Sequence, residues 1–490
     1  MTRVIIPLIM LVLLMTLGLA GSTPVAAQTA PTWNSVIAYF NPNPGPLSPP
    51  EELSIVLYRE DGSLIDLDFG GVNGAIPMLP YQSGTLLLGQ LPGDPSFQGS
   101  AVVSASIPIM AVYKRAASHN EAYSPILYTT FDISQAGQGV IYVPSVRRLP
   151  AYDTQVGIQN VESLPIDLEI TIYDAAGAAV HTAAAENIAP LTAFIFKMSS
   201  ADGQIAVPFE GSLIARARLA GSSAAARIVA AVQEIQVGGR RAFAYEGLSA
   251  PDYFIFIPSA ACQAGETAQT TTLTVQNTGA SPSNIHVDYY DTHGELIAAS
   301  AVVSVPAYAS AAFDACGEDV LAATQGKEMS AVVVSESHQV AVIGRLESSD
   351  GLMTAFTGQP MAGQASAGIF RVALPYVEWS TRPNGFRTTI LVMNVSGDPA
   401  VNVSASYYAN AGGRPLAVHR LATASDPLLP YTRRATSPVA ARAVEGRGFN
   451  GAVILESDQP IVALARVVRT VDISGYQTLG EDYNGIPLYP

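Results

Sequence analysis

The strongest constraint on the fold of this 490-residue chain is a segment that recurs every 117 residues. Its three clear copies each begin with threonine and end with asparagine: Thr154–Asn160, Thr271–Asn277 and Thr388–Asn394. A degenerate earlier copy runs from Ser35 to Asn41. Self-similarity at a long fixed period indicates a chain built from copies of one structural unit, here four units of roughly 115 residues.

The residues after each asparagine predict a β-hairpin. A polar turn leads into an alternating strand that ends in tyrosine, at Leu53–Tyr58, Leu168–Tyr173, Ile285–Tyr290 and Val401–Tyr408. A turn containing glycine follows each strand, at Gly62, Gly177, Gly294 and Gly412. Alternation is typical of a half-buried strand, and glycine tolerates the positive φ that tight hairpin turns require.

The alternation also predicts which side chains lie inside. One face of the strand is apolar in every copy and should be buried: Ile55, Leu57, Ile170, Ile172, Val287, Tyr289, Ala405 and Tyr407. The other face varies freely and should point outward: Ser54, Glu169, Thr171, His286, Asp288, Asn402 and Ser404. Because the side-chain period of a strand is two, this contrast favours a strand with one buried face.

The second half of each unit repeats as well. A strand opens at Gly99, Gly211, Met329 and Gly451, and an aromatic residue closes the unit at Tyr123, Tyr245, Phe356 and Tyr483. Strands with proline open the last three units, at Ile141–Pro144, Ile255–Pro258 and Val372–Pro375. Proline cannot donate to a ladder, so we expect these to be first or edge strands. About seven strands per unit predict Ig-like sandwiches.

The predicted fold class is all-β, with four tandem Ig-like antiparallel β-sandwich domains after a signal peptide. The predicted boundaries are 1–27 for the signal peptide and 28–136, 137–252, 253–366 and 367–490 for the four units, of which the first is degenerate. Short helices are expected at Glu318–Thr324 and Val439–Val444. Short linkers between units favour a rod-like row.

Residues 1–27 have the features of an export signal. Arg3 supplies a positive charge, an apolar run extends from Val4 to Leu19, and small residues end at Ala27, so cleavage would leave Gln28 first. The alternative is an uncleaved anchor, but about 16 apolar residues are fewer than the roughly 20 that a spanning helix needs. We expect a secreted or cell-surface protein with no membrane span in the mature chain.

The charge balance excludes one class of partner. Twenty-five Lys and Arg residues stand against 40 Asp and Glu, a formal net charge of −15, and phosphate contacts need clustered cations. No nucleic acid is therefore expected. The two cysteines, Cys262 and Cys316, are predicted to form a structural disulfide in an oxidising compartment. A metal or redox alternative lacks both the C-x-x-C spacing and a nearby histidine cluster.

Sequence motifs of catalysis are missing. The chain has no G-x-S-x-G, H-E-x-x-H, Walker A or G-x-G-x-x-G pattern, and only six histidines. We therefore predict that the protein is not an enzyme and has no catalytic residue and no cofactor.

Two segments are weak candidates for a metal site, although solvated strand and turn residues account for both. His286 and Asp288 share a strand face and His293 lies in the next turn, a set that suits a transition metal. Asp66 and Asp68 could give oxygen ligands to calcium, without the rest of an EF-hand. We predict no metal at either place.

The best candidate ligand surface is aromatic. Tyr376, Trp379 and Phe386, near the start of the fourth unit, could face a carbohydrate, although aromatic residues at a strand start are more often interior. Low charge and outward Ala, Ser, Thr and Tyr residues favour packing against protein partners or other copies of the chain. The predicted function is an extracellular structural or adhesive scaffold that self-assembles into a surface layer or fibre. The alternative is a carbohydrate- or protein-binding module without catalysis.

The C-terminal tail offers one route to assembly. The first unit has no clear strand with proline at its start, and the tail Gly485–Pro490 follows the last closing aromatic residue. Because unpinned chain ends are usually disordered, we expect this tail, with its two prolines, to be a frayed terminus. The alternative is β-strand addition, in which the tail fills the missing edge of a neighbouring copy.

The T-x-x-x-V-Q-N strand followed by V-x-Y-Y-D-x-x-G is clearest over Ile255–Gly294. It resembles the Ig-like repeats of bacterial surface proteins, such as the cell-adhesion-related CARDB-type modules. The resemblance implies an extracellular spacer, adhesion or assembly role, and it supplies no catalytic residue.

Overall fold

Antiparallel sheets make up nearly all of the regular structure. The computed structural model describes residues 33–45, 53–65, 75–87, 99–105, 108–117, 126–129, 137–201, 204–236, 242–361, 368–446, 448–473 and 476–488. Strands account for 63% and helix for 2%, which confirms the predicted all-β class with several antiparallel sheets. The predicted signal peptide lies outside the described residues.

Each sheet is built from strands of a single repeat, so we refer to repeats 1 to 4 in chain order. Repeat 1 contains β1 (Trp33–Phe40), β2 (Leu53–Arg59), β3 (Leu64–Ile65), β4 (Ala75–Ile76), β5 (Ser83–Leu87), β6 (Gly99–Ser104), β7 (Met110–Ala117) and β8 (Ile126–Thr129). Repeat 2 contains β9 (Gly137–Gln138), β10 (Val140–Leu149), β11 (Tyr152–Asn160), β12 (Ile166–Tyr173), β13 (Ala179–Ile188), β14 (Ala193–Lys197), a 3₁₀ helix (Met198–Ala201), β15 (Phe209–Leu219), β16 (Arg227–Gln236) and β17 (Ala242–Glu246).

The last two repeats follow the same order. Repeat 3 contains β18 (Phe254–Cys262), β19 (Thr270–Asn277), β20 (Ser283–Tyr290), β21 (Leu296–Ala299), β22 (Val303–Val305), β23 (Ser310–Asp314), α1 (Leu321–Thr324), β24 (Lys327–Ser335), β25 (Val340–Glu347), β26 (Met353–Thr357) and β27 (Gln359–Pro360). Repeat 4 contains β28 (Phe370–Ser380), β29 (Arg387–Asn394), β30 (Val403–Ala409), β31 (Ala417–Ala422), β32 (Arg433–Thr436), β33 (Gly448–Ser457), β34 (Ile461–Ile473), β35 (Tyr476–Asn484) and β36 (Ile486–Pro487).

Repeat 3 shows the shared topology most simply. One sheet has the order β21-β20-β24-β18-β27 with β22 beside β20, and the other has the order β23-β19-β25-β26. In repeats 2 and 4 the first two long strands also pair with each other at one end, which joins the two sheets into one of nine strands. A core of apolar side chains from both sheets fills the space between them. The arrangement is a two-layer sandwich.

The predicted inward face is buried in all four repeats, from Ile55 and Leu57 in repeat 1 to Ala405 and Tyr407 in repeat 4. The outward prediction fails at Thr171, which is only 7% exposed. Thr171 shares its strand face with Tyr173, and that face packs against another repeat, as described below. Of the two predicted helices, Leu321–Thr324 forms and Val439–Val444 is turn.

The strand prolines lie at β-bulges. The register of the first long strand shifts across Pro144, Pro258 and Pro375, because proline gives the ladder no N–H. The recurring threonine stabilises each shifted strand: the hydroxyls of Thr154, Thr271 and Thr388 accept the backbone N–H groups of Arg147, Ala261 and Glu378, at 2.8, 3.1 and 3.0 Å. These prolines are in the first long strands of their repeats, as predicted.

The recurring asparagine is buried, and its side chain joins two loops by hydrogen bonds. The Asn277 amide donates to the carbonyls of Ser281, Val305 and Pro306 at 2.8 to 3.1 Å, and its oxygen accepts the Gly279 N–H at 2.9 Å. The other three repeats reproduce this pattern at Asn41, Asn160 and Asn394. Asparagine suits the position because one short side chain supplies both donors and an acceptor.

The C-terminal tail pairs inside its own repeat. In β36, Pro487 lies opposite Val372 and Ile486 opposite Ala373, and the Leu488 N–H donates to the Arg371 carbonyl at 2.9 Å. The prediction of a frayed terminus is therefore wrong for these residues, and they are not free for the alternative, addition to a neighbouring copy, since they already pair with β28.

The Asn277→Ala variant should lower the free energy of unfolding by about 3 kcal/mol, because it leaves several buried loop groups without partners. Asn402→Ala is the matched control, since Asn402 is exposed, and it should change the value by less than about 0.5 kcal/mol. Urea denaturation followed by circular dichroism measures both variants. Equal free energies of unfolding in the two variants would contradict the role of Asn277 in joining the loops.

Candidate functional site

Repeats 2 and 3 meet through the outward face of the predicted hairpin. Tyr173 on β12 and Ser212 on β15 are cross-strand partners, and both contact the turn before β23. The Ser212 hydroxyl donates to the Tyr308 carbonyl at 2.6 Å, and the rings of Tyr173 and Tyr308 lie 5.1 Å apart. Gly177 completes the contact, since a Cβ there would lie 2.4 Å from the Ala307 carbonyl oxygen.

The docked turn has the same unusual backbone in every repeat. Tyr81, Leu191, Tyr308 and Tyr431 occupy equivalent positions and have φ values of 55°, 63°, 62° and 60°. Side chains seldom adopt this left-handed conformation, because Cβ crowds the following carbonyl. Its presence at all four turns marks a place where surrounding contacts impose the backbone geometry.

Two further junctions use the same contact. Between repeats 3 and 4, the Ser330 hydroxyl donates to the Tyr431 carbonyl, and the rings of Tyr290 and Tyr431 lie 5.1 Å apart. Between repeats 1 and 2, the Ser100 hydroxyl donates to the Leu191 carbonyl at 2.7 Å. Each repeat thus presents a strand face to the next repeat and a turn to the previous one.

The fourth junction joins repeat 4 back to repeat 1. Tyr81 stacks on Tyr408 with 4.6 Å between ring centroids, and the Gly413 N–H donates to the Pro80 carbonyl at 2.8 Å. Ala452 stands opposite Tyr408, where the other repeats have serine, so the hydroxyl of the other three junctions is missing here. The four repeats therefore form a closed cycle.

A second contact at three of the junctions places a cation beside the residue that follows a strand proline. The pairs are Arg345 with Ser145, Arg466 with Ser259 and Lys114 with Tyr376. Arg466 also pairs directly with Asp482 at 2.7 Å. Burial opposes the charge of Arg466, but Asp482 raises the pKa of this guanidinium above its usual value. The cation is thus tolerated inside the junction because a carboxylate faces it.

Lys114 lies between two aromatic rings of repeat 4. Its ammonium is 4.6 Å from the Tyr376 ring centroid and 4.1 Å from that of Phe386, and it donates to the Tyr376 hydroxyl at 2.5 Å. That hydroxyl in turn donates to Glu378 at 2.5 Å. Burial lowers the pKa of Lys114 to about 8; the carboxylate of Glu378 opposes the shift and Arg469 adds to it.

The closing strands of the repeats converge at one place, where β8, β17, β26 and β35 each contact the next in a cycle. Glu481 on β35 is fully buried there and accepts three backbone N–H groups, from Ala244 at 3.0 Å, Ala355 at 2.9 Å and Asp482 at 3.0 Å. Burial raises the pKa of Glu481 well above its usual range, and the three N–H donors oppose that shift. One carboxyl thereby joins repeats 2, 3 and 4.

The cycle replaces the predicted row of repeats. Residues 32–490 form one compact unit, because repeat 4 contacts repeat 1 as well as repeat 3. The residues at these contacts are Tyr, Ser, Gly and Ala; the sequence predicted outward Tyr, Ser and Ala residues that pack against protein partners or other copies of the chain. Their burial follows from the neighbouring repeat and not from the sandwich that carries them.

A cleft of about 320 Å³ lies between repeats 3 and 4. Two arginines line it, and both are paired: Arg433 with Glu328 and Arg466 with Asp482. Asp350, also in the lining, accepts hydrogen bonds from the hydroxyls of Ser348 and Thr478. The charged groups of this cleft therefore serve the junction itself.

The candidate metal ligands are not brought together as a site. His286 Nε2 lies 3.6 Å from Asp288 Oδ1, and burial raises the pKa of Asp288 while His286 opposes that shift. His293 is exposed in the turn, where its backbone N–H donates to Asp291. Within the described part of the chain, no three His, Cys, Asp or Glu side chains are grouped to hold a metal ion. Asp66 and Asp68 lie outside the described residues.

The aromatic cluster is engaged within the protein. Tyr376 is buried, and Trp379 and Phe386 are partly buried against the core of repeat 4. The Arg387 guanidinium lies 5.8 Å from the Trp379 ring. The rings of Tyr376 and Phe386 contact Lys114 of repeat 1. That these aromatic residues face a carbohydrate stays a prediction.

The two cysteines, Cys262 and Cys316, are joined by a disulfide, with their Cα atoms 5.0 Å apart.

No protein-family model matches this chain. No curated protein matches it either. Among solved structures, the chain is similar to the full-length RrgB pilus protein from Streptococcus pneumoniae, with 8% identity, 92% of this chain and 86% of that chain covered, and a TM-score of 0.14. It is also similar to the C-terminal domain of the antigen I/II-family protein AspA from Streptococcus pyogenes, with 10% identity, 63% and 98% covered, and a TM-score of 0.10. At these TM-scores neither likeness carries an argument about fold or function. The resemblance to CARDB-type modules stays a prediction.

We find no helix in the described ranges that is long and apolar enough to cross a bilayer.

Gly177→Ala should lower the free energy of unfolding by about 3 kcal/mol, since the new Cβ meets the Ala307 carbonyl at a positive φ. Gly221→Ala is the matched control, because Gly221 also has positive φ (68°) but nothing within 4 Å of its Cβ position. We expect about 1 kcal/mol for the control, from backbone strain alone. Thermal unfolding compares the two, and an equal loss in both variants would rule out a tight junction at Gly177.

Proposed function

We propose that this protein is an extracellular structural scaffold without catalytic activity, in which four β-sandwich repeats form one compact body. The observation that carries the proposal is the use of the recurring residues. The threonine, asparagine, hairpin glycine and serine of the repeat all bind one strand, loop or repeat to another, as Thr271, Asn277, Gly177 and Ser212 do. If these residues recurred because they bind a substrate or act on it, they would be expected to line a pocket or face solvent.

The extracellular setting rests on two observations. The sequence begins with the features of an export signal, and the disulfide between Cys262 and Cys316 suits an oxidising compartment. Low charge fits a protein whose surface meets other proteins more than nucleic acid.

An adhesive or self-assembling role is supported by the outer strands. The sheets of repeats 1, 3 and 4 end at β3, β21 and β31, and these strands expose large apolar side chains, Leu64, Leu296 and Val418, each by more than half. Exposed edge strands present N–H and C=O groups that can pair with another chain. Protein partners or further copies of the chain are therefore the binding partners that we propose.

Small-angle scattering tests whether the four repeats form a compact body. A single compact body of about 460 residues should have a radius of gyration near 23 Å, whereas four repeats in a row should give roughly 40 Å. A value near 40 Å would refute the closed cycle in solution.

Cell fractionation tests the location and role. Antibodies against the chain should find it in the medium or at the cell surface, shortened by about 27 residues at the N-terminus. Cytoplasmic protein with an intact N-terminus would contradict the extracellular scaffold.

A further inference from the structure

The junction between repeats 4 and 1 differs from the others in how the chain connects it. Repeats 1 and 2, 2 and 3, and 3 and 4 are consecutive in sequence, so each pair is held together by a short connection. Repeat 4 meets repeat 1 only after the chain has passed through all four repeats. We call this junction the seam. It can open through a change of rotation at the other junctions, without separating any two repeats that are consecutive in the sequence.

Both sides of the seam are apolar and complementary. Phe40 is fully buried against Tyr408, Ala452 and Ile454 of repeat 4, and Tyr81 packs on the same cluster. Around this centre, the Ser83 hydroxyl donates to the side-chain oxygen of Asn410 at 2.8 Å. An open seam would therefore expose two apolar faces that already fit each other.

Among the described residues, the seam differs from the other junctions in two ways: it has no serine at the position of the hydroxyl contact, and its cation is less well compensated than the cations between repeats 2 and 3 and between repeats 3 and 4. Ala452 replaces the serine whose hydroxyl meets the turn carbonyl elsewhere. The buried cation is less well compensated as well: Arg466 contacts Asp482 at 2.7 Å and Arg345 lies 3.5 Å from Glu234, whereas Lys114 reaches Glu378 through the Tyr376 hydroxyl. Burying a charge without a direct counter-ion opposes closure.

We propose that the seam opens in solution and that the uncovered faces bind a second copy of this chain, with repeat 1 of one copy seated on repeat 4 of the other. The contact runs head to tail, and a head-to-tail contact that does not close within one molecule joins molecules instead. The inference rests on the proposed scaffold function and identifies another copy as its partner.

Lys114 gives this exchange a pH dependence, because it is buried in the closed seam and solvated in the open one. Tyr376 and Glu378 on β28, Arg469 on β34 and the ring of Phe386 face it. Its pKa is about 8 in the closed seam against 10.5 for a solvated lysine, so the closed form binds fewer protons between these values. Raising the pH through this window therefore favours closure, and below pH 8 the buried charge opposes it in full.

Subunit exchange between two tagged samples of the full chain tests the proposal. The samples are mixed at high concentration at pH 7 and at pH 9.5, and mixed assemblies are captured through one tag, detected through the other, and sized by light scattering. Wild-type protein should form mixed assemblies at pH 7 and more than about tenfold fewer at pH 9.5.

Two variants should close the seam. Lys114→Met fills the same space without charge, so it should suppress exchange at pH 7 and remove the pH dependence. Ala452→Ser restores the hydroxyl of the other junctions and should reduce exchange about fivefold at pH 7.

A third variant should prevent assembly. Tyr408→Ala removes the ring of repeat 4 that contacts repeat 1, and it should leave open chains that form no mixed assemblies. Lys327→Met, at an exposed lysine, is the control and should behave as wild type.

Circular dichroism confirms that each variant is folded before exchange is measured. The proposal would be overturned if the wild type formed no mixed assemblies at either pH. It would also be overturned if, at pH 7, Lys114→Met and Ala452→Ser formed as many mixed assemblies as the wild type, or if Tyr408→Ala formed as many as the wild type. A compact, extracellular protein with no exchange would overturn this inference and leave the scaffold function standing.

Discussion

Docking of a strand face of one repeat onto the left-handed turn of the following repeat sets the arrangement of the four repeats, and at three of the four junctions a serine hydroxyl donates to the turn carbonyl. The contact is directional, since the strand face of one repeat meets the turn of the next, as Ser212 meets Tyr308. A head-to-tail contact of this kind makes a ring or a filament, depending on the rotation between units. Here four repeats bring Tyr408 against Tyr81, and the cycle closes.

The polar groups buried in this protein of low charge stabilise either the loops of one repeat or the contacts between repeats. Asn277 and its counterparts satisfy loop carbonyls, Glu481 satisfies backbone N–H groups from three repeats, and Arg466 meets Asp482. Such groups contribute little net stability when paired but are costly to leave unpaired. They therefore act mainly against wrong registers of the strands and wrong orientations of the repeats.

The positions of Lys114 and Tyr376 show why the sequence alone could not decide between a ligand-facing and an interior aromatic cluster. The grouping of Tyr376 and Phe386 near the start of repeat 4 is visible in the sequence, and so is their apolar character. The cation that occupies their ring faces comes from 262 residues away, on a strand of repeat 1. Nothing in the local pattern distinguishes an aromatic side chain that awaits a ligand from one that receives a neighbouring repeat.

The sequence by itself determined the strands, their inward faces and the glycine turns. The reason is that the alternation of apolar residues and the need for glycine at positive φ are local, so the residues of each repeat are enough to predict them. Tertiary structure alone decided that the repeats close into a cycle, that Thr171 is buried and that the hairpin glycines lie in junctions. The physical reason is that Tyr, Ser and Gly suit a solvated surface and a docked surface equally well. Only the rotation between consecutive repeats decides which of the two each surface becomes.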